Sequence, residues 1–243
     1  RLCERDDPEC SGSYRASGLI GRVNMSEQKK RIALIHATVV SMDPTDQAFS
    51  ELWPEADTFH LLDSSLSTDR ASAGELTDDL SQRIFGMADY AIERGVDGVL
   101  YCCSAFGPAI KAAAEANTVP ILKPNEAMFQ SALDIGGSIT MLVTFKDSIG
   151  SMEQEFAEMK SERGSDATLR SVLVDGARDA IDRGDATTHN RLIVETAANV
   201  GKSSAILLAH FSMDRARVEV AAKVDVPVLS PPSESVTHLS KAL

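Results

Sequence analysis

The feature that most constrains this chain is a repeat with one fixed spacing. Three apolar segments return 107 residues later: RIALIHA around His36 as SITMLVT around Val143, DGVLYCCSAF around Cys103 as SSAILLAHFS around His210, and TVPILKP around Pro120 as DVPVLSP around Pro227. Generic Val/Ile-rich strands resemble one another by coincidence, but coincidence does not hold one offset three times. Between these anchors the register drifts, with Asp63 near Asp175 and Gly74 near Gly184, so loop lengths differ while the halves return to step.

Each repeated segment is short, apolar and β-branched, and amphipathic stretches lie between them. That rhythm is the signature of βα units around a mostly parallel sheet. Strands are predicted at 32–36, 58–62, 98–102, 119–122, 138–143, 169–174, 205–209 and 226–229, with helices at 76–94, 109–116, 151–161 and 189–200. The chain therefore reads as α/β with two similar halves, 25–132 and 133–229, divided near Gly136-Gly137, and a tail, 230–243, that packs back on the first half. Two similar halves of one chain tend to pack about a pseudo-twofold axis, as two subunits do in a symmetric dimer. Residues 1–24 are polar, lack the apolar core of a signal peptide and precede Met25, so they read as a disordered extension or an expression artefact.

Composition narrows the partners. With 243 residues, 43% of them hydrophobic, the chain can bury a substantial core, and none of its apolar runs reaches the roughly 18 residues of a membrane span. A formal net charge of -12 argues against nucleic acid and anionic membranes, which are bound by clustered Lys and Arg. It leaves room for an anionic small molecule in a pocket lined by N–H donors. The cysteines, at positions 3, 10, 102 and 103, fit neither a disulfide framework nor a metal site, which points to a reducing cytoplasm and leaves Cys3 and Cys10 without a role.

In parallel sheets ligands bind beyond the carboxyl ends of the strands. If the halves face each other, equivalent strand-end residues flank one cleft, and Cys103 and His210 are such a pair. Cys103 precedes SAFGPAI, which looks like a helix start, so its thiol is expected to feel a partial positive charge and to favour the thiolate. The competing reading, a buried structural cysteine, suits Cys102 better. A histidine opposite a cysteine is competent for acid/base work and also resembles the base of a nucleophilic thiol. As a plainer alternative, His210 is hydrogen-bonded scaffold.

The YCCSAFG motif resembles the first cysteine motif of the aspartate/glutamate racemase superfamily, in which the cysteine is followed by a small hydroxyl or amide residue, and the resemblance runs from about Arg31 to Leu229. It implies two flavodoxin-like halves with the active site in the cleft between them, and no metal, pyridoxal phosphate or nucleotide cofactor. It also implies acid/base chemistry on a carbon next to a carboxylate, in which racemases use one cysteine from each half. Here His210 stands where the second cysteine would be, a departure that favours a one-sided reaction. Thr144 resembles the family's carboxylate-holding threonine, and Ser148 adds a hydroxyl. His36, Thr38, Asp63, Ser104, Asn125, Phe211 and Ser212 complete the candidate substrate-binding set, with Lys123 at the rim. His189 reads as decoration of a helix start, and His60 and His238 as structural or exposed.

The leading expectation is a cofactor-independent isomerase or lyase acting on a small carboxylate, free or as a homo-oligomer. The alternatives are a Cys–His hydrolase with Cys103 as nucleophile, and a catalytically silent ligand-binding protein. Adduct formation on Cys103 would mark the hydrolase, and exchange of substrate hydrogen with heavy water the isomerase or lyase.

Overall fold

The computed structural model describes residues 29–243. The 1–24 segment, with Cys3 and Cys10, lies outside the described residues. Eight strands follow in order: β1 (Arg31–His36), β2 (Asp57–Leu62), β3 (Gly98–Tyr101), β4 (Ile121–Leu122), β5 (Ser138–Val143), β6 (Thr168–Leu173), β7 (Ala205–Leu208) and β8 (Val228–Leu229). The helices are α1 (Met42–Leu52), α2 (Leu66–Ala73), α3 (Asp78–Glu93), α4 (Gly107–Ala116), α5 (Glu126–Ile135), α6 (Ile149–Arg163), α7 (Ala177–Asp182), α8 (Ala186–Asn199), α9 (Arg217–Ala221) and α10 (Pro231–Ala242). Short 3-10 turns stand at Val39–Ser41, Ser104–Phe106, Lys146–Ser148 and Phe211–Ala216.

The strands form two four-stranded sheets of one design, β2-β1-β3-β4 and β6-β5-β7-β8, and every neighbouring pair is parallel. β1, β3 and β4 begin 107 residues before β5, β7 and β8, whereas β2 begins 111 before β6, so the drift seen in the sequence lies in the β5–β6 connection. The central strands β1 and β5 share one burial pattern, an exposed first residue followed by five buried ones, because helices cover both faces.

On one face of the first sheet Ala33, Ile35, Val99 and Tyr101 pack against α3 and α4 through Ile84, Ala88, Ile110 and Ala113. α3 starts where Thr77 Oγ1 accepts the Leu80 N–H, and the carboxylates of Asp78 and Asp79 follow in its first turn. On the other face Ile32, Leu34 and Leu100 pack against Ala48 and Phe49 of α1 and against Val236 and Leu239 of α10. α10 follows β8 of the second sheet. In exchange, α5, which follows β4 of the first sheet, buries Met128, Phe129, Ala132 and Leu133 against Ile139, Met141 and Leu207 of the second sheet. Each sheet thus receives one covering helix from the other half.

Local chemistry fixes this crossing. Pro231 and Pro232 open α10, where missing N–H groups leave no helix acceptor unserved. Buried Asp214 accepts from Ser230 and Ser233 Oγ at the start of α10 and from Arg217 Nε at 3.1 Å. Gly98 allows the close approach of α10, since a Cβ there would meet Leu243 Cδ1 at 3.1 Å. Ser131 Oγ of α5 donates to Glu234 of α10 at 2.6 Å.

Candidate functional site

At the ends of β3 and β7 the chain runs on for two residues before a 3-10 turn and a helix, and the second of the two is extended in each half. Cys103 (φ −143°, ψ 121°) and His210 (φ −117°, ψ 148°) hold that same position in the two sheets. Cys102 points the other way, buried in the cluster of Ile32, Leu100 and Phe211, with Thr45 Oγ1 at 3.8 Å from its sulfur. Burial pushes its thiol far above the ordinary range.

Cys103 is half-buried against the cluster of Tyr101 and Phe106. The expected thiolate is corrected here. Removal from water pushes the Cys103 thiol above its ordinary value, and the Ala105 N–H and Ser67 hydroxyl, which pull the other way, do not overcome it. A three-residue 3-10 turn also follows Cys103 before α4 begins, so the start of the helix stands away from the sulfur. Cys103 rests as a thiol. Ser67, on α2, was missed in the sequence, where it is one hydroxyl among several in DSSLS.

His210 is held from both sides. The Thr144 backbone N–H donates to its Nδ1 at 3.3 Å, and the Thr144 hydroxyl stands 2.9 Å from the same atom. Nδ1 therefore carries no hydrogen, and Nε2 donates to Ser148 Oγ at 3.0 Å, whose own proton goes to the Phe145 carbonyl at 2.7 Å. Burial first, then the charge of Arg178 and the nearby His189, lowers the His210 pKa to about 4. At neutral pH it is an uncharged imidazole with both nitrogens engaged.

The remaining candidates fall into separate groups. His36 is fully buried, with Nδ1 2.7 Å from Ser41 Oγ and Nε2 3.0 Å from His60 Nδ1. Burial, aided by His60, lowers its pKa to about 3. Thr38 precedes the Val39–Ser41 turn, and its carbonyl accepts from Ser41 Oγ at 3.0 Å. Asp63 is taken by Arg83, at 2.5 and 3.1 Å, and by the Ser65 hydroxyl and N–H. These bonds hold its carboxyl below the usual range against the opposing effect of burial.

Ser104 is half-buried at the start of its turn, and Ser212 is buried in the corresponding turn after His210. Phe211 packs into the apolar cluster with Cys102 and Leu122. Asn125, ahead of α5, is 1% exposed, and its Nδ2 has no partner. Lys123 is ion-paired with Glu155 of α6 at 3.0 Å.

His189, expected at a helix surface, is fully buried on α8 and donates toward Asn190 Oδ1 at 3.0 Å. His60 links His36 to Asp46. The structure thus brings together His210, Thr144 and Ser148, and separately His36, Thr38 and Ser41. Cys103 draws its contacts from the first half, and Asp63 faces Arg83.

Among the described residues no three His, Cys, Asp or Glu side chains gather as a metal ion would require, and no helix is long and apolar enough to cross a membrane. Two shallow surface hollows, one at Arg170, Glu195 and Asn199 and one at Glu153, Lys160 and Thr168, lie away from both strand-end residues.

The profile of the Asp/Glu/Hydantoin racemase family matches residues 32–239. Among solved structures, the chain is similar to an aspartate racemase from Picrophilus torridus, at 13% identity and TM-score 0.68, over 88% of this chain and 94% of that one. It is similar to a glutamate racemase from Francisella tularensis in complex with D-glutamate, at 14% identity and TM-score 0.65, over 88% and 81% of the two chains. An arylmalonate decarboxylase in a sulfate-associated form is similar at 19% identity and TM-score 0.60, over 87% and 93%. A search among curated protein sequences finds no match.

Proposed function

The chain belongs to the Asp/Glu/Hydantoin racemase family, and from that premise we propose a cofactor-independent isomerase or lyase in which Cys103 moves a proton at a carbon next to a carboxylate. The observation that carries this reading is the matched placement of Cys103 and His210 at the ends of β3 and β7, in two sheets of one strand order. The carboxyl ends of parallel strands are where such folds bind ligands. Small carboxylates fit the neighbours by name, glutamate and aspartate racemases and an arylmalonate decarboxylase.

The resting protonation states favour chemistry from one side. A protonated thiol at Cys103 is poised to give its hydrogen to a carbanion-like, planar intermediate, and the sulfur becomes a thiolate as the C–H bond forms. That intermediate arises when a C–C bond to a carboxylate breaks with release of carbon dioxide, or when the minor thiolate form of Cys103 first takes a proton from the same carbon and then returns one to it. His210 has no free lone pair at rest, and we assign it to holding Thr144 and Ser148 in place. When a carboxylate arrives, the Thr144 hydroxyl turns its hydrogen from His210 Nδ1 to the ligand, and the Thr144 N–H continues to serve that nitrogen. Asn125 Nδ2, buried without a partner, offers a further donor.

The test is incubation with 2-substituted malonates, maleate and amino acids in heavy water, followed by mass spectrometry of substrate and protein. Deuterium on carbon, lost in Cys103→Ala, is the expected result. A stable adduct on Cys103 with hydrolysis and no exchange would overturn it in favour of a nucleophilic thiol.

A further inference from the structure

A buried hydrogen-bond chain runs across the first sheet, away from the candidate reaction. In the β1–β2 register Leu34 stands opposite His60, and His36, two residues beyond Leu34, points to the same face. The two imidazoles therefore meet diagonally, with ring centroids 5.0 Å apart and planes 27° apart. α1 covers this face and brings Asp46 to the outer ring, so that His60 Nε2 lies 2.8 Å from Asp46 Oδ1. The chain thus reads Asp46, His60, His36, Ser41, from an exposed carboxylate to a buried hydroxyl.

Two proton placements fit these contacts. In the first, Ser41 Oγ gives its hydrogen to the Thr38 carbonyl at 3.0 Å, and His36 Nδ1, 2.7 Å from that oxygen, carries a hydrogen. His36 is neutral, so its Nε2 is bare and takes the His60 Nδ1 hydrogen across 3.0 Å. The other His60 nitrogen faces a carboxylate oxygen, where a hydrogen must lie between the two atoms. In the second, Ser41 donates to His36 Nδ1, His36 Nε2 to His60 and His60 Nε2 to Asp46, and the first placement holds one proton more than this one. We propose that Asp46 and His60 are positioning residues for the 38–41 turn, acting through this stored proton.

When the proton is lost, the bonds reverse. The His60 Nδ1 hydrogen passes to His36 Nε2, His36 Nδ1 gives up its hydrogen, and the chain as a whole releases one proton to bulk solvent while Ser41 keeps a hydrogen. Ser41 then donates to His36 Nδ1 and releases the Thr38 carbonyl, which loosens the turn. The charged neighbours on α1 are already engaged, Asp43 by Arg215 at 3.1 Å and Glu51 by Arg217 at 3.4 Å. From the β3 side the Cys102 thiol reaches the chain through Thr45, whose hydroxyl lies 3.8 Å from its sulfur and 2.7 Å from the Ser41 carbonyl. Among the described residues the second half has no matching chain, since Val143 stands where His36 would be.

The inference does not depend on the reaction proposed above, and its test needs no substrate. Imidazole and backbone nitrogen NMR of the intact protein would be followed from about pH 5 to 9, the range in which histidine pairs exchange protons. Residues 38–41 and both imidazoles are expected to change with one midpoint, the His36 hydrogen moving from Nδ1 to Nε2. Asp46→Asn, at an exposed position that the fold tolerates, should move that common midpoint down by roughly 0.5 to 1 pH unit. Asp46→Glu should restore it, and Ser41→Ala should uncouple residues 38–41 from the imidazoles. If residues 38–41 do not follow the imidazoles, if Asp46→Asn leaves the midpoint in place, or if His36 carries its hydrogen on Nε2 at the acid end, the proposal fails.

Discussion

The two halves solve one local problem with different residues. Each has a serine in the turn after its central strand, Ser41 after β1 and Ser148 after β5, separated by the 107-residue offset. Each serine is paired with an imidazole, but the imidazole comes from β1 in the first half, as His36, and from beyond β7 in the second, as His210. The first half therefore has its serine satisfied from within the sheet, and its strand-end position is left to the Cys103 thiol. In the second half the strand-end residue is consumed in holding the serine, and Val143 fills the place of His36 with apolar bulk. A repeated fold supplies a pair of matched positions without dictating which one does chemistry.

The largest expected effect separates those positions. Cys103→Ser should lower turnover by about 10⁴-fold, as removal of a proton carrier does, while melting temperature and binding change little. His210→Ala should act mainly on substrate binding, raising KM by roughly 10-fold through the loosened Thr144 and Ser148 hydroxyls. A kcat loss of about 10² or more at constant KM would instead make His210 a second proton carrier, and the contrast between the halves would fall.

Acid should then expose what the halves share. His36 and His210 have pKa values lowered from 6.5 to about 3 and about 4, so the unfolded chain takes up protons that the folded one refuses. Their neutral burial is compatible with full stability above pH 6.5, and stability falls as pH drops from there toward those lowered values, by up to about 1.4 kcal/mol per pH unit for fully buried His36. Urea unfolding at pH 7, 5.5 and 4.5 measures this, and His36→Val should flatten part of the slope. A slope unchanged in that variant would show that His36 is protonated in the folded state.

The smallest effect concerns the adjacent cysteine. Cys102→Ala removes a buried thiol from an apolar cluster and should lower stability by about 1 to 2 kcal/mol while sparing turnover. If activity vanishes with Cys102 and survives loss of Cys103, the wrong member of the pair carries the chemistry.

All eight strands were legible because apolar β-branched runs and a constant offset reinforce one another. The candidate site was legible in its positions along the chain and less so in its contacts. Position along the chain placed Cys103, His210, Thr144 and Ser148 at strand ends, yet the pairing of His36 with His60 depends on β1–β2 register, which no single segment encodes. The protonation of Cys103 depends on desolvation by neighbours distant in sequence, so a local helix-start argument gave the wrong sign. α10 was harder still: SESVTHLSKAL carries few large apolar residues, and its burial comes from a sheet that another part of the chain builds.

The traded helices carry one more consequence. A polypeptide ending after α5 would leave one face of its own sheet without its α10 cover and would carry a helix whose apolar side has no sheet to rest on. Two copies of such a fragment would become complete only by lending that helix to each other. The present chain is joined as such an intertwined dimer would be, and its halves cannot swing apart like the covers of a book without stripping each sheet of the helix it borrowed.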